Sequence, residues 1–153
     1  MTLSMAVVTV FAAEQFVSFQ KTGRYTFALA SNGRVLNIVY DANDYEGVAM
    51  AVASLKTDFE SVTGVAPSVG QVLADQCIIV GSLQSSYIQQ LIAGGQLNGS
   101  ELQGRREKYI LQIVDAPIPG VSKALVIAGS DKRGTIYGIY ELSRQIGVSP
   151  WYW

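Results

Sequence analysis

Ala124-Leu-Val-Ile-Ala-Gly-Ser-Asp-Lys-Arg-Gly-Thr-Ile-Tyr-Gly-Ile-Tyr-Glu-Leu-Ser-Arg-Gln-Ile-Gly-Val-Ser-Pro-Trp-Tyr-Trp153 decides the fold class. Its uninterrupted apolar start, Ala124 to Ala128, reads as a strand buried on both faces. A glycine-rich turn follows, Gly129 to Gly134. Apolar residues then recur at helical spacing from about Thr135 to Ile146, and Gly147 stops them. Strand, tight turn and helix in immediate succession are one half of an α/β unit. Gly134 and Gly138 fall four apart, on one helical face. Each glycine costs roughly 1 kcal/mol of helix propensity against alanine. Two of them therefore predict a close approach of the helix backbone to a neighbouring element. The stretch ends on Pro150, Trp151, Tyr152 and Trp153. So large an apolar cluster is expected to be covered, by a following domain or by a second copy of the chain.

Working upstream, Tyr109–Val114 and Cys77–Val80 are further apolar runs of strand length. Between them Ser85 or Ser86 is placed to cap a short helix carrying Ile88, Leu91 and Ile92, closed by Gly94-Gly95. Leu97 to Arg106 reads as polar loop. Val48, Val52, Leu55, Phe59 and Val62 recur at alternating spacings of four and three, one face of a longer helix. Lys56, Asp58 and Glu60 lie off that stripe. Asn43 is the expected cap with Glu46 at the capping-box position, and Gly64 and Pro67 mark the end. Nearer the N-terminus, Phe16–Phe19, Tyr25–Leu29 and Val35–Tyr40 read as three strands, with Asn32-Gly33 a hairpin turn. The expected architecture is α/β: a mixed β-sheet flanked by about three helices. No internal linker or repeat divides the chain.

Composition removes several function classes. The 153 residues are about half apolar, with a formal net charge of -1, so a filled core is expected and phosphate neutralisation on a nucleic acid is not. There is no histidine, which excludes histidine-based zinc sites, the Ser-His-Asp triad and imidazole proton transfer. The single cysteine, Cys77, opens an apolar run and reads as a buried core residue. No stretch is long enough to span a membrane as a helix. Met5–Ala13 is a short apolar segment with Val10-Phe-Ala12 like a signal cleavage site, but without a basic lead. Residues 1–15 are thus an extension, a signal remnant or a strand. The sequon Asn98-Gly-Ser100 adds weakly to an expectation of secretion.

The turn Gly129-Ser-Asp-Lys-Arg-Gly-Thr135 resembles a phosphate loop superficially, but Thr135 stands where the lysine after the second glycine is required. No cofactor and no metal site is expected. Two readings of Lys132 and Arg133 remain open. They assist backbone amides in holding an anion such as a uronate carboxylate, or they are solvated or paired with a neighbouring domain while Ser130 or Asp131 caps the helix. Trp151 and Trp153 likewise either stack on a sugar ring or fill an interface. Asp41, Asp44, Asp58, Glu60, Asp75, Asp115, Asp131 and Glu141 form no recognisable acid–base pair, so no catalytic residue is assigned.

Gly129-Ser-Asp-Lys-Arg-Gly-Thr-Ile-Tyr-Gly138, Ile146-Gly-Val-Ser-Pro-Trp-Tyr-Trp153 and Pro119-Gly-Val-Ser-Lys-Ala-Leu-Val-Ile127 resemble the N-terminal domain of glycoside hydrolase family 115, the xylan α-1,2-glucuronidases. Glu14–Phe19 and Asp58–Gly64 resemble it more loosely. The resemblance implies an α/β domain like the one preceding the barrel of family 20 hexosaminidases. Residues 16–148 would form that accessory domain, and 149–153 would begin the link to a catalytic barrel that carries the carboxylates. The parent would remove (4-O-methyl-)glucuronic acid from glucuronoxylan with inversion, outside the cell, and this chain alone would be inactive. A self-standing carbohydrate-binding module using Lys132, Arg133, Trp151 and Trp153, or an assembly module dimerising through its aromatic tail, are the competing readings.

Overall fold

A computed structural model describes residues 3–6, 17–18 and 26–148. Two sheets are present. The first is antiparallel and contains β1 (Leu3–Ala6), β2 (Val17–Ser18), β3 (Thr26–Ser31) and β4 (Arg34–Val35), in the order β2-β1-β3-β4. Met5 and Ala6, left open by the sequence, are therefore in a strand. The β3–β4 turn needs two consecutive left-handed residues, and Asn32 (φ 53°) and Gly33 (φ 75°) supply them.

The second sheet contains β5 (Asn37–Tyr40), β6 (Val69–Gly70), β7 (Gln76–Ser82), β8 (Tyr109–Asp115) and β9 (Lys123–Gly129), ordered β6-β5-β7-β9-β8. All neighbours run parallel except β8, which is antiparallel to β9. The expectation of one strand over Val35–Tyr40 is corrected here. The chain leaves the first sheet after Val35 and enters the second at Asn37. Leu36 is the crossing, its amide donating to the Leu29 carbonyl at 3.0 Å. A change of pairing partner within a continuous β-prone run leaves no trace in residue type.

Helices α1 (Glu46–Thr63), α2 (Ser86–Ala93) and α3 (Lys132–Gln145) complete the mixed α/β fold. The central strands are apolar throughout because both faces are covered. Ile38, Ile78, Val80, Leu111, Leu125 and Ile127 face α1 and α3. Val39, Cys77, Ile79, Ile110, Val126 and Ala128 face α2. This split by alternate residues is the strand period itself. Cys77 is fully buried, and desolvation pushes its thiol pKa up, as a core residue requires.

Leu97 to Arg106 is more than polar loop. It contains a 3₁₀ turn, Gly99–Glu101, and buries Leu97 and Leu102 with Ile118 and Val121 against the α2 side. Its two leucines were the available signal. The cap of α1 also differs from expectation. Tyr45 occupies that position without a side-chain bond, while Asn43 only donates its amide to Asp41 Oδ1 at 2.9 Å. Asp58, off the apolar stripe, is nevertheless buried, with Oδ2 unpartnered. α1 packs on α3 as well as on the sheet, so its buried face is wider than the stripe.

α3 sits on β8 and β9 through its glycines, as their spacing predicted. A Cβ at Gly134 would overlap the Lys108 carbonyl oxygen, and one at Gly138 would lie 2.9 Å from Ile127 Cγ2 and 3.2 Å from Tyr109 Cβ. The helix starts at Lys132, three residues earlier than the apolar periodicity alone indicated.

Candidate functional site

The parallel strands β5, β7 and β9 all deliver loops to one end of the sheet. The β9–α3 turn there is closed on itself. Asp131 is the cap: Oδ1 accepts from the Gly134 amide at 2.7 Å and Oδ2 from the Glu107 amide at 3.0 Å. Thr135 Oγ1 donates to the Asp131 carbonyl at 2.7 Å, and Ser130 Oγ accepts from the Lys108 amide at 3.0 Å. The helix N-terminus thus already holds a carboxylate, that of Asp131. Arg133 and Lys132 are exposed on the first turn; Arg133 pairs with Glu107 at 3.0 Å. The Lys132 stem lies along α1, its Cδ 3.3 Å from where a Gly47 Cβ would stand. Trp151 and Trp153 lie outside the described residues.

A second constellation was not legible in the sequence. The chain runs from β5 through α1 to the β6 edge, then returns to the other side of β5 as β7. α1 and α2 cover opposite faces, which makes the β5–β7 gap the switch point of the sheet. Two carboxylates bridge that gap. Asp41 Oδ2 accepts from the Ser86 amide at 2.8 Å and Oδ1 from Asn43. Asp44 Oδ2 accepts from the Ser82 amide at 2.8 Å, and Oδ1 from Ser82 Oγ at 2.6 Å and its neighbour's amide, that of Tyr45, at 2.8 Å. Gln84 Nε2 donates to Tyr45 Oη at 2.8 Å across the same gap. Every oxygen of both carboxylates accepts a bond, so the pair braces two loops. The only sequence signal was an Asp at each end of a short β-to-α loop.

These bonds have a pH consequence. The Ser86 and Asn43 amides hold Asp41 below the ordinary carboxylate range; the Glu107 and Gly134 amides do the same for Asp131. A depressed folded-state pKa contributes stability that is present above the unfolded value and lost as pH falls through the folded one. Urea midpoints should therefore decline as pH is lowered from about 5 towards 2. Asp131→Asn and Asp41→Asn should each flatten that decline. An unchanged slope in both variants would remove these two groups from the acid response.

At the opposite end of the sheet, where the two sheets part at Leu36, lies a cleft of 510 Å³ bordered by the β3–β4 hairpin, Asn37 and Gln76. Among the described residues no cluster of three or more Cys, Asp or Glu side chains is arranged to hold a metal ion, and no helix is long and apolar enough to cross a membrane.

Comparison with known proteins adds the lineage. The family described as Glycosyl hydrolase family 67 N-terminus matches residues 20–142, which is most of the chain. The chain belongs to this family. Among solved structures, a "GH115 4-O-Methyl-alpha-glucuronidase, BtGH115A, with specificity for decorated arabinogalactans" matches with a TM-score of 0.63 at 29% identity. That match covers 79% of this chain and 14% of BtGH115A, so the chain spans about one seventh of that enzyme's length. Curated proteins gave no match.

For a family 67 N-terminal domain, the bonding of the carboxylates is informative. Asp41, Asp44 and Asp131 stabilise loops. Glu141 is engaged by Arg144 at 2.6 Å and Glu107 by Arg133.

Proposed function

We propose that this chain is the N-terminal accessory domain of a glucuronidase of the family 115 type, which hydrolyses (4-O-methyl-)glucuronic acid from a polysaccharide such as glucuronoxylan. The observation that carries the reading is the double match: a glycoside hydrolase N-terminal family over residues 20–142, and a 4-O-methyl-α-glucuronidase over 79% of the chain. The domain would brace a separate catalytic barrel that supplies both carboxylates, and the parent would act outside the cell, where such polysaccharides are met. The carboxylates here support that division of labour, because Asp41, Asp44 and Asp131 are committed to amides. In this reading Lys132, Arg133 and the C-terminal aromatics serve the barrel interface.

Purified chain incubated with glucuronoxylan, or with glucuronate-decorated arabinogalactan, should release no uronic acid. The parent polypeptide carrying this domain should release it from one of the two. Turnover by the chain alone that survives repurification would overturn the accessory role. A parent that cleaves neither polymer would overturn the glucuronidase reading.

A further inference from the structure

The cleft between the two sheets arises from the chain's own path. β3 and β4 belong to one sheet and β5 to the other, so the sheets diverge at Leu36 and leave an open wedge. Its volume of 510 Å³ is in the usual range for small-ligand sites, about 300–1,000 Å³. Its apolar wall includes Leu29 and Leu36; its polar groups include Arg34, Asn37, Gln76 and Asn32. Asn37 and Gln76 are neighbours because β5 pairs with β7 in the register Asn37↔Cys77.

Charge selects the ligand. Among the described residues that line the wall, Arg34 is the charged one. The ion pairs among the described residues join Lys123 to Asp115, Arg133 to Glu107 and Arg144 to Glu141, so none of these carboxylates is paired with Arg34. A guanidinium binds a carboxylate through two parallel N–H···O bonds. Two carboxamides offer donors and acceptors suited to adjacent hydroxyls. We propose that this cleft is an accessory binding site for a hexuronate, its carboxylate on Arg34 and its hydroxyls on Asn37 and Gln76. The proposal rests on the glucuronidase reading for its choice of sugar. It assigns the domain a substrate-retaining role.

The test is titration of the 153-residue chain, followed by backbone NMR, with glucuronic acid, glucose, acetate and a xylo-oligosaccharide bearing one glucuronyl branch. Glucuronic acid should bind with a Kd of order 1 mM and shift the Arg34, Asn37 and Gln76 amides. Glucose and acetate should bind at least about tenfold more weakly, each lacking half of the recognition. Arg34→Gln should weaken glucuronate by a similar factor at an unchanged melting temperature, and Gln76→Ala provides a second variant. Tighter binding of the oligosaccharide would identify the polymer-borne sugar as the ligand; equal binding would identify the free acid. Absence of glucuronate binding, acetate binding as strongly, or indifference to both substitutions would overturn the site. A parent enzyme that remains active while this cleft binds nothing leaves the glucuronidase reading standing and removes only the site.

Discussion

Replacing Gly134 by alanine is expected to destabilise the fold by about 3 kcal/mol, the upper end for overpacking. Helix propensity alone argues the opposite, since alanine is favoured over glycine by roughly 1 kcal/mol within a helix. Packing wins because the obstacle is backbone. The new methyl would overlap the Lys108 carbonyl, and that peptide is pinned. Lys108 O accepts from the Ser130 amide at 2.8 Å, and the Lys108 amide donates to Ser130 Oγ. For a chain of this size the melting temperature should fall by roughly 6–12 °C. Gly138→Leu should also destabilise, but by less, about 1–3 kcal/mol, because Ile127 and Tyr109 are side chains that can shift. Tyr137→Ala on the exposed face is the control and should stay within about 0.5 kcal/mol of the parent. A Gly134→Ala protein melting at or above the parent would show that α3 is not seated on β8.

Asp44→Ala is expected to cost a comparable amount, about 3 kcal/mol, by a different route. Ser82 is 1% exposed at the end of β7, and Asp44 accepts from both its amide and its hydroxyl. Alanine leaves two buried donors without a partner, each worth about 1–3 kcal/mol. It also frees the Tyr45 amide at the start of α1. Asp44→Asn, which keeps one acceptor oxygen, should lose roughly half as much. The reading is a lower urea midpoint at unchanged slope, with faster amide hydrogen exchange at Ser82. A substitution neutral in both would mean that the β5–α1 and β7–α2 loops do not depend on this bridge.

What the sequence by itself determined is whatever follows from local period and turn chemistry. Apolar runs placed β7, β8 and β9. The stripe from Val48 to Phe59 placed α1, Asn32-Gly33 placed a hairpin, and the paired glycines foretold the seat of α3. Motif resemblance reached a glycoside hydrolase N-terminal domain, which the family match supports. Each of these is written in residues a few positions apart. Tertiary structure alone decided the division into two sheets at Leu36, because a strand does not encode its hydrogen-bonding partner. It decided the burial of Asp58, because the width of a helix's buried face depends on how many neighbours it has. It decided the roles of Asp41 and Asp44, since the amides they hold come from Ser82 and Ser86, some forty residues on. It alone formed the Arg34 cleft as well. A cavity is the space left between elements whose relative placement is fixed by long-range packing, and no local pattern records that space.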